Sequence, residues 1–210
     1  MWSVEKICNK ISNNIATELK CDEEKKLVIN YGIFAIIQMG IAICLTIIFG
    51  LLFNVVAEAL IVSFTISILR KSSGGAHAST PGRCAILGTI VSVGFGLVAK
   101  LIEKNAVTIS LIGIIIFFWS FYIVYKLAPV DSAAKPIKNQ ERRKKLKRSS
   151  MMILGAYFVI AIANILYNYY SVNVSVLTYT LCIYMGLVWQ IFSLTKSGHL
   201  ILGKIDDFFK

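Results

Sequence analysis

The fifteen residues Arg70-Lys71-Ser72-Ser73-Gly74-Gly75-Ala76-His77-Ala78-Ser79-Thr80-Pro81-Gly82-Arg83-Cys84 decide how the chain folds. They are polar, yet they sit between two strongly apolar segments, about 55–70 and about 85–100. Bare irregular backbone is not tolerated in hydrocarbon, so the break marks a return of the chain to a membrane surface between two helices. It is also the one polar interruption that carries both a histidine and a cysteine, His77 and Cys84.

The composition outside this break agrees with a membrane setting. Of 210 residues, 57% are hydrophobic and 16% charged, and the mean hydropathy is +0.72. Soluble domains sit nearer about 45–50% apolar and about 25% charged. The expectation is an all-α polytopic membrane protein with six transmembrane helices, at about 31–53, 55–70, 85–100, 106–127, 151–170 and 175–195. A bilayer core of about 30 Å needs roughly 20 residues at 1.5 Å rise. The first, fourth, fifth and sixth segments meet that length. The second and third are short and flank the polar break, so either the bilayer thins there or the break dips below the headgroups.

Ahead of these spans, residues 1–26 read as an amphipathic helix. Val4, Ile7, Cys8, Ile11, Ile15 and Leu19 recur at spacings of three and four. Such a stripe lies in the membrane interface or packs on the protein's own face. Met1 to Lys26 is charged throughout and lacks an apolar core, so no cleavable signal peptide is expected. The organisation expected is one membrane-embedded domain over 1–210: an amphipathic segment 1–30, a four-helix part 31–127, a basic loop 128–150, and a two-helix part with its tail, 151–210.

The net charge of +11 excludes little by itself, but its distribution is informative. With 1–30, 70–84, 126–150 and 196–210 on one side, that side holds 20 Lys and Arg; the other side holds Lys100 and Lys104 alone. Basic residues gather on the cytoplasmic side, where they oppose translocation and meet anionic headgroups. Both termini and the His77/Cys84 loop are therefore expected in the cytoplasm, with no role in nucleic-acid binding. Glu141-Arg142-Arg143-Lys144-Lys145-Leu146-Lys147-Arg148 is the densest basic run. It reads as a topology determinant or as a docking patch for an acidic partner or anionic lipid, with Arg142, Arg143, Lys144 and Lys145 at its centre.

Cys8, Cys21, Cys44, Cys84 and Cys182 show no CxxC spacing, so neither a disulfide framework nor a zinc site is indicated, and no cofactor or metal is expected. Cys44 and Cys182 lie inside apolar segments as packing residues. Glu58 is expected to reach the outer headgroups. Gln38, Asn164 and Asn168 are candidates for bonds between helices, and His199 for a solvated place in the C-terminal tail.

The chemistry concentrates in 70–84. A cysteine attacks as thiolate, and a positive neighbourhood favours that form. Arg83 is adjacent to Cys84, and Arg70 and Lys71 open the loop. His77 is the candidate general base, then acid. Thr80 suits an N-cap and Pro81 the first helical position, which puts Cys84 in the first turn of the third span, where unpaired N–H groups favour negative charge. Seven residues of straight helix would separate His77 from Cys84 by about 10 Å. Proton transfer therefore requires the backbone to turn back, which Gly74-Gly75 and Pro81-Gly82 permit. Gly88, Ser92 and Gly96 form a small-residue stripe for close helix packing below the nucleophile. The alternative is a connector whose cysteine merely starts a helix, in a peptide exporter or a non-catalytic membrane scaffold.

The pattern Arg70 … Gly74-Gly75-Ala76-His77-Ala78 … Cys84, set between the second and third spans, resembles the AgrB family of accessory gene regulator proteins. The resemblance extends to the length, the amphipathic N-terminus, the six spans and the basic central loop. It implies a cysteine endopeptidase of the bacterial plasma membrane that removes the C-terminal tail of an AgrD-type precursor peptide and yields a cyclic thiolactone or lactone. It further implies that His77 and Cys84 are catalytic. Arg70, Gly75 and Arg83 are the candidates for substrate or oxyanion support. The implied partners are the AgrD-type precursor, a bilayer with anionic headgroups and, as a further candidate assembly, a homodimer.

Overall fold

The computed structural model describes residues 2–19, 21–76, 78–130, 139–171 and 173–208, and they form eight helices. In chain order these are α1 (Trp2–Glu18), α2 (Glu23–Leu52), α3 (Val56–Ser73), α4 (Pro81–Leu101), α5 (Ala106–Leu127), α6 (Gln140–Ser171), α7 (Val174–Phe192) and α8 (Lys196–Phe208). No strand occurs among the described residues; one isolated bridge joins Gly74 to Val130. The all-α expectation holds.

Five of these helices, α2, α4, α5, α6 and α7, are long and apolar enough to cross a membrane, against six expected spans. The difference is α3, whose 18 residues include Glu58, Arg70 and Lys71. Its apolar part ends at Leu69, and the last turn is polar. The third expected span, by contrast, is not short. It starts at Pro81 rather than near 85 and runs 21 residues, because a capped first turn tolerates Gly82, Arg83 and Cys84 at its solvent end.

The core is built around α7. Leu177, Leu181, Cys182, Leu187, Gln190 and Ile191 are all buried on it. Gly186 is the point of closest approach to α3: a Cβ there would meet Thr65 Cβ at 2.9 Å. Thr65, Val62, Ile66 and Leu69 of α3 are buried in turn. The rest of the helical surface is apolar and exposed, with Ile36, Met39 and Ile48 on α2 and Ile115 and Phe118 on α5. A face of this kind suits lipid. Of the small-residue stripe on α4, Ser92 and Gly96 are buried, Gly96 against Glu58 and Ala59 of α3, whereas Gly88 is exposed with nothing near it. Glu58 is half-buried in that contact.

The two ends of the bundle differ. At one end Lys100 Nζ donates to Asn54 O at 2.7 Å, and Asn105 and Asn173 cap α5 and α7. Asn164 reaches Thr180 of α7 at 3.2 Å, and Asn168 donates to Asn173 O across the α6–α7 turn. The opposite end gathers the connection from α3 to α4, the exit of α5, the start of α6, and α8.

Two expected boundaries change. The amphipathic helix expected over 1–26 ends at Glu18, and Asp22 then caps α2 by accepting from Lys25 N at 2.9 Å. Its buried stripe is Cys8, Ser12 and Ala16, packed on α2, while Ile7, Ile11, Ile15 and Leu19 stay exposed. The basic segment 128–150 is not all loop either: 131–138 lie outside the described residues, but α6 begins at Gln140, about three turns ahead of the expected span. Asn139 Oδ1 caps it by accepting from the amides of Glu141 and Arg142.

Candidate active site

The polar break resolves into the last turn of α3 (Arg70–Ser73), a connection of six residues, Gly74 to Ser79, and the start of α4. Gly74 at φ +72° and Gly75 at φ +129° turn the chain back, as expected of that pair. Pro81-Gly82 does not make the second turn anticipated for it: both residues are helical. Thr80 is the N-cap, its hydroxyl accepting from Arg83 N at 3.3 Å. Cys84 N closes the first intrahelical bond, on Thr80 O at 3.0 Å. Cys84 is thus in the first turn of α4 and half-buried. His77 lies outside the described residues.

Turning the chain at the glycines brings Arg70 back to Cys84. The guanidinium lies beside the Cys84 side chain, close enough for the two groups to interact. Its Nη2 also donates to Ala76 O at 2.8 Å, so one side chain joins the nucleophile candidate to the backbone next to His77. Burial lowers the Arg70 proton affinity from its ordinary value, and the neighbouring Cys84 opposes that shift. Arg70 Nε is buried with no partner among the described residues. A buried N–H of this sort is costly unless a ligand takes it.

Gly75 has a different place from the one its pattern suggests. A Cβ at Gly75 would lie 2.6 Å from Ser193 Oγ and 3.3 Å from Gln190 Nε2. It is the contact through which the connection seats on the C-terminal end of α7. Around it, Gln190 Nε2 donates to Gly74 O at 2.8 Å and Ser73 Oγ at 3.1 Å, and Ala76 N donates to Ser193 O at 3.1 Å. From the segment after α5, Val130 N donates to Ser73 O at 2.9 Å. From α2, Gln38 Nε2 donates to Pro81 O at 2.7 Å, one of the interhelical bonds the sequence suggested.

Arg83 points to α8 rather than to an open site. Its Nη1 donates to Ser79 Oγ at 3.1 Å and lies 3.7 Å from Asp206 Oδ1. The Arg142–Lys145 run is exposed on the first turns of α6. No group of His, Cys, Asp or Glu fit to hold a metal ion occurs among the described residues. His199 is exposed, its Nδ1 3.0 Å from Thr195 O.

Sequence reasoning missed Gln190, Ser193 and Asp206, which hold the connection from the far end of the chain. For Gln190 a signal was present: a lone amide in the apolar run Val174–Phe192 must find a buried partner.

The model of the family Accessory gene regulator B (AgrB) matches residues 5–194. The chain is 42% identical over 209 residues to an AgrB-like protein of Clostridium perfringens (strain SM101 / Type A), covering 98% of this chain and 97% of that one. A second such protein, from Clostridium perfringens (strain 13 / Type A), is 40% identical over 208 residues with the same coverage. One from Listeria innocua is 29% identical over 148 residues, 69% of this chain and 68% of its own. No solved structure matches. With its apolar helices and a family match spanning both sides of the Cys84 connection, the chain is a membrane protein of the AgrB family, whose general role is peptide processing in accessory gene regulator quorum sensing.

Proposed function

We propose that this protein is a membrane cysteine endopeptidase that cleaves the C-terminal tail from an AgrD-type quorum-sensing precursor through a Cys84 thioester. The observation that carries the reading is the Arg70 guanidinium on the Cys84 side chain at the start of α4. When the thiolate forms in the reaction, the Arg70 guanidinium supplies its counter-charge and the first turn of α4 fixes its place. In this mechanism the Cys84 thiolate attacks the scissile carbonyl, and His77 carries the thiol proton. The carbon–nitrogen bond then breaks, the departing amine takes that proton from His77, and an acyl group remains on Cys84 Sγ. Attack by a thiol of the substrate exchanges one thioester for another at little cost and releases a thiolactone. The unpartnered Arg70 Nε–H is a donor suited to the substrate carbonyl oxygen as it gains charge.

The charge count supports a cytoplasmic place for this end of the bundle and both termini. Reporter fusions after Glu103 and after Asn139 test it: the first should report outside and the second inside, and the reverse result overturns the orientation. The basic start of α6 is the surface suited to an acidic substrate tail.

The deciding experiment is co-expression with a short precursor encoded beside this chain. Wild type should release the tail and form an acyl-enzyme sensitive to hydroxylamine. Cys84→Ala and His77→Ala should leave the precursor whole at equal protein levels. Processing that survives either substitution removes the catalytic assignment.

A further inference from the structure

The helix α8 lies beyond the family match, which ends at residue 194, yet it touches the segment that leads into Cys84. Phe192 and Thr195 turn the chain: Thr195 N donates to Phe192 O at 3.0 Å, and Gly198 N donates to Thr195 Oγ1 at 3.0 Å. Gly198 packs so tightly on this turn that a Cβ would run into Phe192 O. The helix that follows is amphipathic, with Leu202 and Asp206 buried one turn apart and Leu200 and Ile201 exposed.

Asp206 is 6% exposed, in the last turn of α8. A carboxylate there faces the negative end of the helix dipole and loses water, so it requires compensation. Part of that compensation comes from the segment that leads into Cys84. Asp206 Oδ2 accepts from Ser79 N at 3.1 Å, Oδ1 is 3.7 Å from Arg83 Nη1, and the Asp206 backbone carbonyl accepts from the same Nη1 at 3.4 Å. Arg83 thus caps the carbonyl end of α8, where cations are favoured, and a second bond from Nη1 ties it to Ser79 Oγ. Three contacts join α8 to Ser79 and Arg83, the latter adjacent in sequence to Cys84.

We infer that Asp206 is a positioning residue for the Cys84 reaction, acting with Arg83 as a staple that fixes the start of α4. The inference rests on the proposed role of Cys84 as nucleophile. Arg83 is committed to this staple rather than to substrate. A nucleophile set by a fixed first turn loses rate, not substrate affinity, when that turn loosens, since small misplacements of reacting groups act on the chemical step. The apolar contacts of α8 dock the helix; the Asp206 carboxylate sets its register against the connection.

The test uses the full chain in vesicles of anionic lipid, with cleavage of the co-expressed precursor as the readout. Asp206→Asn and Arg83→Gln should each lower kcat about tenfold or more, with KM within about twofold. Because the two act as one unit, the double variant should be no worse than the poorer single one. Where Asp206→Asn accumulates poorly, Arg83→Lys provides the same comparison, since it keeps the charge and loses the guanidinium geometry. Unchanged kcat in the folded variants overturns the inference, as does a raised KM at constant kcat or additive losses in the double variant. A separate arm with Cys84→Ala tests the peptidase reading itself: processing that persists there removes that reading, whereas loss there with normal Asp206→Asn rates removes only the staple.

Discussion

Arg70, in the last turn of α3, lies beside Cys84, in the first turn of α4, although the two stand 14 positions apart in sequence. The same guanidinium bonds Ala76 O at 2.8 Å. Two jobs on one side chain demand its fork and not only its charge. Arg70→Lys should therefore lower kcat by about tenfold to a hundredfold while the protein still accumulates in the membrane. Single-turnover cleavage measures this, and a lysine variant as fast as wild type would show that charge alone suffices.

The seat of the connection on α7 gives a second expectation. Gly75 at φ +129° has no room for a methyl group below Ser193, and Gln190 is fully buried while holding Gly74 O. Gly75→Ala adds backbone strain of about 1–3 kcal/mol to that clash. Gln190→Leu removes the amide donor to Gly74 O and Ser73 Oγ, at about 1–3 kcal/mol. Both variants should lower thermal stability in detergent and abolish processing, whereas Gly88→Ala, where nothing lies within 4 Å, should do neither. A Gln190→Leu protein of normal stability and rate would mean the amide is not part of the seat.

Residues whose partners lie close in sequence were readable in advance. Thr80 and Pro81 start α4 because an N-cap hydroxyl and a ring at the first helical position are local chemistry, complete within four residues. The polarity of Gly82, Arg83 and Cys84 nonetheless hid the first turn of that helix from a count of apolar residues. The same effect hid three turns of α6 behind its basic run. What could not be read were contacts set by tertiary packing: Gln190 bonds Ser73 across 117 positions, and Asp206 bonds Ser79 across 127. α8 itself has a short apolar stripe that a hydropathy window averages away. Arg83 shows the cost: beside a cysteine it reads as substrate support, and only the fold reveals its partner in Asp206.

The basic start of α6 is placed against its own helix. Arg142 and Arg143 sit in the first turn, at the positive end of the dipole, where each cation costs about 0.3–1 kcal/mol. A sequence that keeps them there is using them for something other than helix stability. Substituting Arg142, Arg143, Lys144 and Lys145 by Gln should raise apparent KM for an acidic-tailed precursor at least about fivefold at low salt, with kcat retained. The difference between variant and wild type should shrink as salt rises. Kinetics unchanged at low salt, with correct insertion, would assign the run to topology alone.

The last expectation concerns α1, which presents two stripes rather than one. Cys8, Ser12 and Ala16 face α2, and Asn30 Nδ2 on α2 donates to Asn9 Oδ1 at 2.8 Å, fixing the pairing. That leaves Ile7 at 49%, Ile11 at 39%, Ile15 at 36% and Leu19 at 66% exposure along the adjoining face. Four aliphatic side chains in a row fit an acyl boundary better than water, at about 25 cal/mol per Å² removed. A spin label at Ile11 should then be quenched by oxygen dissolved in the bilayer more than by a water-soluble nickel chelate, while one at Asn14 should show the opposite order. Ile11→Lys together with Ile15→Lys should move the Asn14 label further into water without disturbing α2, because the buried stripe is untouched. Equal, water-like accessibility at Ile11 and Asn14 in the parent protein would mean that α1 stands off the membrane and is held by α2 alone.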